Sequence, residues 1–146
     1  MTNAQKRKGG DWERQAVEIL NANIKRGAFK KIPGSGALGT FLNEPMLTSD
    51  LKGKVDSFSK EFKIECKVGY GSAKQFTMKK LWLDKVREES DNSYGIPMLM
   101  GKFSGAREGV RAFVVLDMDT FCGIINRTTE LYEEVEANER KKMAGS

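Results

Sequence analysis

Apolar and polar residues alternate strictly along residues 61–68, EFKIECKV. Successive side chains of a strand point to opposite faces. Phe62, Ile64, Cys66 and Val68 therefore form a buried face, and Glu61, Lys63, Glu65 and Lys67 form the other. Residues 50–55 precede this strand, and the turn-forming run DSFS at 56–59 joins the two as a hairpin. A helical period governs residues 11–26, where Ala16, Val17, Leu20 and Ile24 make one stripe, with Asp11 near the start and Gly27 as a stop. A second helix is predicted over 73–90, capped by Ser72 and anchored by Met78, Leu81, Trp82 and Val86. Further strands are expected near 28–32, at 97–103 and at 111–118, with FCGIIN at 121–126 as another short one. A C-terminal helix then opens at Thr128 or Thr129 and carries Leu131, Tyr132 and Val135. Residues 30–49 mix Gly, Pro and small polar side chains, a long loop of the kind that is usually functional or disordered. The order α-β-β-β-α-β-β-(β)-α describes a small α/β domain with one mixed sheet. The expected boundaries are a flexible basic N-terminal arm over 1–9, a single domain over 10–138 and a frayed tail over 139–146.

The hairpin turn sets a register. A loop centred between Ser57 and Phe58 places Lys54 opposite Glu61, Lys52 opposite Lys63, Leu51 opposite Ile64 and Asp50 opposite Glu65. This matters because Glu-x-Lys occurs at Glu61/Lys63, Glu65/Lys67 and Glu139/Lys141, so the pattern alone selects nothing. Glu61 gains a cross-strand ion pair with Lys54. Asp50 facing Glu65 sets like charges against each other, which destabilises a sheet. A divalent cation reconciles two such carboxylates beside a lysine, and Mg²⁺ binds through one or two carboxylates together with water and substrate phosphate. A slip of register would make Asp56 the rival ligand, although Asp is an ordinary turn former there. Glu13 extends the apolar stripe of the first helix. It is either a first-turn acid favoured by the helix dipole or a core-facing carboxylate with a partner.

Composition narrows the chemistry. With 146 residues, 39% hydrophobic and 31% charged, the chain describes one soluble globular domain. No apolar run approaches the roughly 20 residues of a membrane span. No apolar segment follows the basic start as a secretory signal would, so an intracellular, cytoplasmic location with no membrane partner is expected. Histidine is absent and the two cysteines lack ligand spacing, which excludes the usual Cys/His zinc sites and His-based triads. An enzyme built from this chain works with carboxylates, lysines and a hard metal bound through oxygen. The net charge is +5, and residues 1–31 hold eight Lys/Arg against three acids. Such a basic end points to a polyanion partner such as nucleic acid.

Taken together, KGGDWER at 8–14, GSGA at 34–37, SDL at 49–51, IECK at 64–67 and GIPMLMGKF at 95–103 resemble the archaeal-type Holliday junction resolvases, dimeric nucleases of the PD-(D/E)xK superfamily. The resemblance spans residues 6–118 and is compatible with a phage-encoded member, which would act in the host cytoplasm. It implies a restriction-endonuclease-like α/β fold, a mixed central sheet flanked by helices. It also implies that Asp50, Glu65 and the Cys66 carbonyl hold Mg²⁺ or Mn²⁺, that Lys67 orients the attacking water, and that Glu13 holds a second metal or an outer water. Ser35 resembles the family's loop serine, and Arg14 a DNA-contacting arginine. Phosphate contacts would come from Lys6, Arg7, Lys8, Arg14, Lys30, Lys31, Lys74, Lys79 and Lys80. The implied substrate is a four-way DNA junction rather than a small molecule, cut by a homodimer to leave 5′-phosphates. A duplex- or flap-cutting repair nuclease and a non-catalytic DNA-binding protein are the competing readings.

Overall fold

The computed structural model describes residues 2–33, 49–70 and 72–145. The chain divides into two compact units, residues 1–116 and 117–146, where the sequence pattern suggested one domain to 138.

The first unit begins with helix α1, Asn3–Asn23. Its start lies well before the expected one because Thr2 and Gln5 form a capping box: the Gln5 amide donates to Thr2 Oγ1 at 3.2 Å and the Thr2 amide to Gln5 Oε1 at 2.9 Å. Two orphan amides are thereby satisfied and the basic run is drawn into the helix. Strands β1 (Gly27–Lys31), β2 (Leu51–Val55) and β3 (Glu61–Val68) follow, then α2 (Lys80–Asn92), β4 (Gly95–Lys102) and β5 (Ala112–Val115). The sheet order is β1-β2-β3-β4-β5. β3 and β4 run parallel, as the α2 crossover between them requires, and the other neighbours run antiparallel. The result is the mixed sheet flanked by helices that the family resemblance implies.

The hairpin has the register its turn dictates, with Leu51 opposite Ile64 and Lys52 opposite Lys63. Phe29, Leu51, Phe62 and Ile64 are buried on one face. There α1 packs with Trp12, Ala16 and Leu20, and Trp12 Nε1 donates to the Met100 carbonyl at 3.2 Å. Gly53 belongs to this face because a Cβ there would overlap the Phe29 ring of the neighbouring strand.

Three further expectations change in this unit. The charged face of β3 is not solvated: α2 packs over it, leaving Lys63 4% and Glu65 6% exposed. Glu61 does not pair with Lys54. Its carboxylate instead meets the buried Lys63 ammonium at 3.2 Å, because a sequestered charge needs a partner more than an exposed one does. α2 starts at Lys80 rather than 73, since Ser72 Oγ accepts from the Lys74 amide at 3.0 Å in a local turn and Phe76 inserts among Trp82, Phe103 and Phe113. That aromatic burial outweighs helix propensity over 73–79.

The second unit is a single helix, α3, Met118–Ala144. It absorbs both the strand expected at 121–126 and the tail expected to fray beyond 139. Asp117 accounts for this, its carboxylate accepting from the Thr120 amide and hydroxyl, each at 2.8 Å. A six-residue apolar run carries too short a period to separate strand from helix. None of the α3 residues is buried. Among the described residues, no helix is long and apolar enough to cross a membrane.

Candidate active site

Asp50 enters from the connection that leads into β2. Its backbone is pinned on both sides: its carbonyl accepts from the Ile32 amide at 2.9 Å, and its amide donates to the Ile64 carbonyl at 3.1 Å. The side chain turns along β3, where Oδ2 accepts from the Cys66 amide at 2.8 Å. The strand pattern places Glu65 and Lys67 on either side of that amide, and Lys67 Nζ lies 3.3 Å from Glu65 Oε1. Asp50, Glu65, Cys66 and Lys67 are thus brought together by two short pieces of chain whose pairing the hairpin fixes.

The electrostatics are those of a site short of positive charge. Asp50 is raised from 3.8 to about 7, first by desolvation and then by the facing Glu65 charge, with Glu13 adding to it; the Cys66 hydrogen bond and Lys67 pull the other way. Glu65 is also raised, chiefly by burial, against the opposing pull of Lys67 and Lys85. Burial pushes the Cys66 thiol up, and the carboxylates of Asp50, Glu13 and Glu65 push it further. The thiol therefore stays protonated and unsuited to binding a metal as thiolate.

Glu13, on α1, is nearby and largely sheltered, but its carboxylate is taken by Lys31 of β1 at 2.8 Å. That pairing supplies the partner a core-facing acid requires, and it occupies the Lys31 ammonium. Among the described residues no three Cys, Asp or Glu side chains converge as a ready-made metal cage. Two carboxylates suffice for Mg²⁺, which keeps several waters. The donor set fits such a cation: two sheltered carboxyl groups, both raised in pKa, share one lysine.

Neighbours from α2 complete the surroundings, and the sequence reading had not assigned them here. Lys67 Nζ sits 4.9 Å from the centroid of the Trp82 ring, a residue read from its spacing only as a core anchor. Glu89 is buried and lies 3.7 Å from Lys85. Nothing in the spacing of α2 marks them, because their role depends on which strands the crossover covers.

The remaining candidates scatter. Lys6, Arg7, Lys8 and Arg14 lie on exposed positions of α1, where Lys8 reaches Ser104 Oγ at 3.2 Å and Arg14 pairs with Asp11. Lys30 is exposed on β1, and Lys74, Lys79 and Lys80 precede or open α2, with Lys80 bound to Asp84 at 2.8 Å. Ser35 lies outside the described residues. Asp56 stays in its turn and pairs with Arg26 at 2.8 Å, so it does not compete with Asp50. Lys102 bonds Gln15 at 2.7 Å.

Among solved structures, a Holliday junction resolvase from the archaeal hyperthermophile Archaeoglobus fulgidus aligns with a TM-score of 0.44 and 11% identity, over 75% of this chain and 84% of that one. No curated protein sequence matches. A family model described as "Phage putative PDDEXK endonuclease" matches residues 4–144, nearly the whole chain and every residue of the site above. The chain belongs to this phage PDDEXK endonuclease family.

Proposed function

We propose that this protein is a magnesium-dependent endonuclease that resolves four-way DNA junctions, nicking two strands symmetrically. The observation that carries the reading is the pair Asp50 and Glu65, two carboxyl groups of raised pKa, one at the entry to β2 and one on β3, beside Lys67. Asp50, Glu65 and the Cys66 carbonyl would hold the cation, with Glu13 in reserve for a second ion or an outer water. A bound divalent ion supplies charge neutralisation at the scissile phosphate and a lower pKa for water.

The chain's own residues do the rest. Lys67, its ammonium placed between Glu65 and the Trp82 face, orients the attacking water and neutralises charge developing on the phosphate. The Cys66 amide holds the Asp50 carboxylate in one orientation. No histidine is needed for this chemistry. A homodimer follows from the substrate, because two symmetric cuts require two sites related by a two-fold axis. Ser35 is assigned a supporting role in the loop before Asp50. Lys6, Arg7, Lys8, Arg14, Lys30, Lys31, Lys74, Lys79 and Lys80 are assigned to phosphate contacts, Lys31 only after exchange of its Glu13 partner.

Incubating the protein with Mg²⁺ and either a synthetic four-way junction or a matched linear duplex tests the reading. Paired nicks in the junction with the duplex intact support it. Equal cutting of both makes the protein a general duplex nuclease, and tight binding without cutting makes it a DNA-binding protein only.

A further inference from the structure

The face of the sheet that carries Glu65 and Lys67 continues sideways onto β2 and β1, and there it presents lysine without acid. Register places Lys30 opposite Lys52 and Ala28 opposite Lys54, and Lys52 opposite Lys63. Directly opposed residues share a face, and like charges so placed destabilise the sheet. The row thus contains two unfavourable contacts in succession. Neither β1, GAFKK, nor β2, LKGKV, contains a carboxylate to relieve them.

The innermost member, Lys63, is covered by α2 and held by Glu61. The outer members are not. Lys30 and Lys54 are exposed and Lys52 is half-exposed. Among the described residues no carboxylate pairs with any of the three, whereas on the opposite face Lys31 is matched by Glu13. α2 packs on β3 and β4 and α1 on the Phe29 side of β1. Lysines set opposite one another add nothing to the stability of the sheet. The arrangement makes sense as a surface that receives an anion.

We infer that Lys30, Lys52 and Lys54 form a phosphate-binding track for the nucleic-acid backbone, continuous with the Glu65–Lys67 site. The inference rests on the nuclease reading and adds to it the path that DNA takes away from the cut. The occupant is a nucleic-acid strand because Lys30 and Lys52 stand on neighbouring strands about 5 Å apart and Lys54 about 7 Å further along β2, and such a spread of cations suits an extended polyanion better than one small anion. Lys52 lies two residues along β2 from Asp50, and its partner Lys63 two residues along β3 from Glu65. DNA seated on the site therefore meets this row within one or two strand widths.

The distinguishing experiment pairs DNA affinity with stability. A Lys52→Ala/Lys54→Ala variant is titrated with a fluorescent four-way junction between 50 and 300 mM NaCl, roughly the range in which counterion release is resolved. Its thermal midpoint is measured in parallel. We expect Kd to rise on the order of tenfold near 100 mM salt, and the slope of log Kd against log salt to fall by about two. The midpoint should hold or rise, since opposed like charges have been removed. Lys52→Glu should weaken binding further while adding ion pairs to Lys30 and Lys63. Wild-type affinity and slope in these variants, with wild-type protein cleaving the junction, overturn the track and leave the nuclease reading standing. An equal loss in a Lys141→Ala/Lys142→Ala control also overturns it, as total charge would then be the cause. Failure of wild-type protein to bind the junction at all overturns the nuclease reading and the track with it.

Discussion

The Asp50 carboxylate accepts a hydrogen bond from the Cys66 amide at 2.8 Å, tying the first acid of the site to the strand that carries the second. One consequence is a pH-dependent stability that a cation should remove. The folded protein holds Asp50 protonated up to about 7, against 3.8 in an unconstrained chain. Between those values the folded state binds a proton that the unfolded state has released, so stability falls as pH rises through that window. With EDTA present, the wild-type midpoint should be lower at pH 8 than at pH 5, and Asp50→Asn should flatten the difference. Mg²⁺ at pH 8 should raise the wild-type midpoint but not that of Asp50→Asn, which should also lose cleavage by at least about 100-fold. Calorimetry across pH with and without Mg²⁺ checks the set.

On the proposed mechanism Lys67 contributes charge rather than ligation. Lys67→Ala should abolish cleavage while the Mg²⁺-induced rise in melting temperature persists, because Asp50 and Glu65 remain. Trp82→Leu removes the ring face 4.9 Å from the ammonium and should lower the cleavage rate by a factor of about 2–5, in line with a cation–π contact worth about 0.5–1 kcal/mol. Single-turnover rates together with Mg²⁺-dependent melting curves separate the two residues. Loss of the melting shift in Lys67→Ala would place it among the metal-binding groups instead.

Glu61 also opens a Glu-x-Lys pattern, yet its carboxylate serves the buried Lys63 ammonium. Glu61→Gln leaves the buried Lys63 ammonium without its 3.2 Å carboxylate partner and should cost about 1–2 kcal/mol. Cleavage per folded molecule should be unchanged. Urea denaturation compared with activity at low temperature tests this, and a folded but inactive Glu61→Gln protein would move the metal site one pair along the strand.

Trp12 anchors α1 to the sheet through its indole N–H and a side chain that is 2% exposed. Trp12→Phe keeps the aromatic burial but removes the indole donation to the Met100 carbonyl, and should destabilise by about 0.5–1.5 kcal/mol. The same helix carries Glu13, so some loss of activity should accompany it. Chemical denaturation of the two proteins measures the difference directly.

Much of the candidate site's geometry was legible in one turn. The residues DSFS place the hairpin bend, strict alternation places the faces, and together they set Leu51 against Ile64, the pairing observed. That register puts Asp50 beside the Glu65 strand and sends Asp56 into the turn, where it meets Arg26. These are local matters, decided by the two-residue period of a strand and the length of a loop. Capping was less legible. Thr2 and Gln5 start α1 and Asp117 starts α3, but the same residue types are common outside helices, and nothing in Ser72 shows that its hydroxyl serves a local turn.

By itself, then, the sequence determined the β2–β3 hairpin and its register, the carboxylate pair with its lysine, and the absence of any histidine-based alternative, because each depends on neighbours close along the chain. Tertiary structure alone decided that Lys63 and Glu65 are buried beneath α2, that Glu13 is taken by Lys31, that Trp82 faces Lys67, and that three lysines of β1 and β2 have no acid partner among the described residues. Those outcomes turn on which face of the sheet each helix covers, and burial changes what a charge costs. A carboxylate that would be ordinary in water becomes, under α2 and opposite another acid, a group that holds its proton to about 7 and calls for a cation.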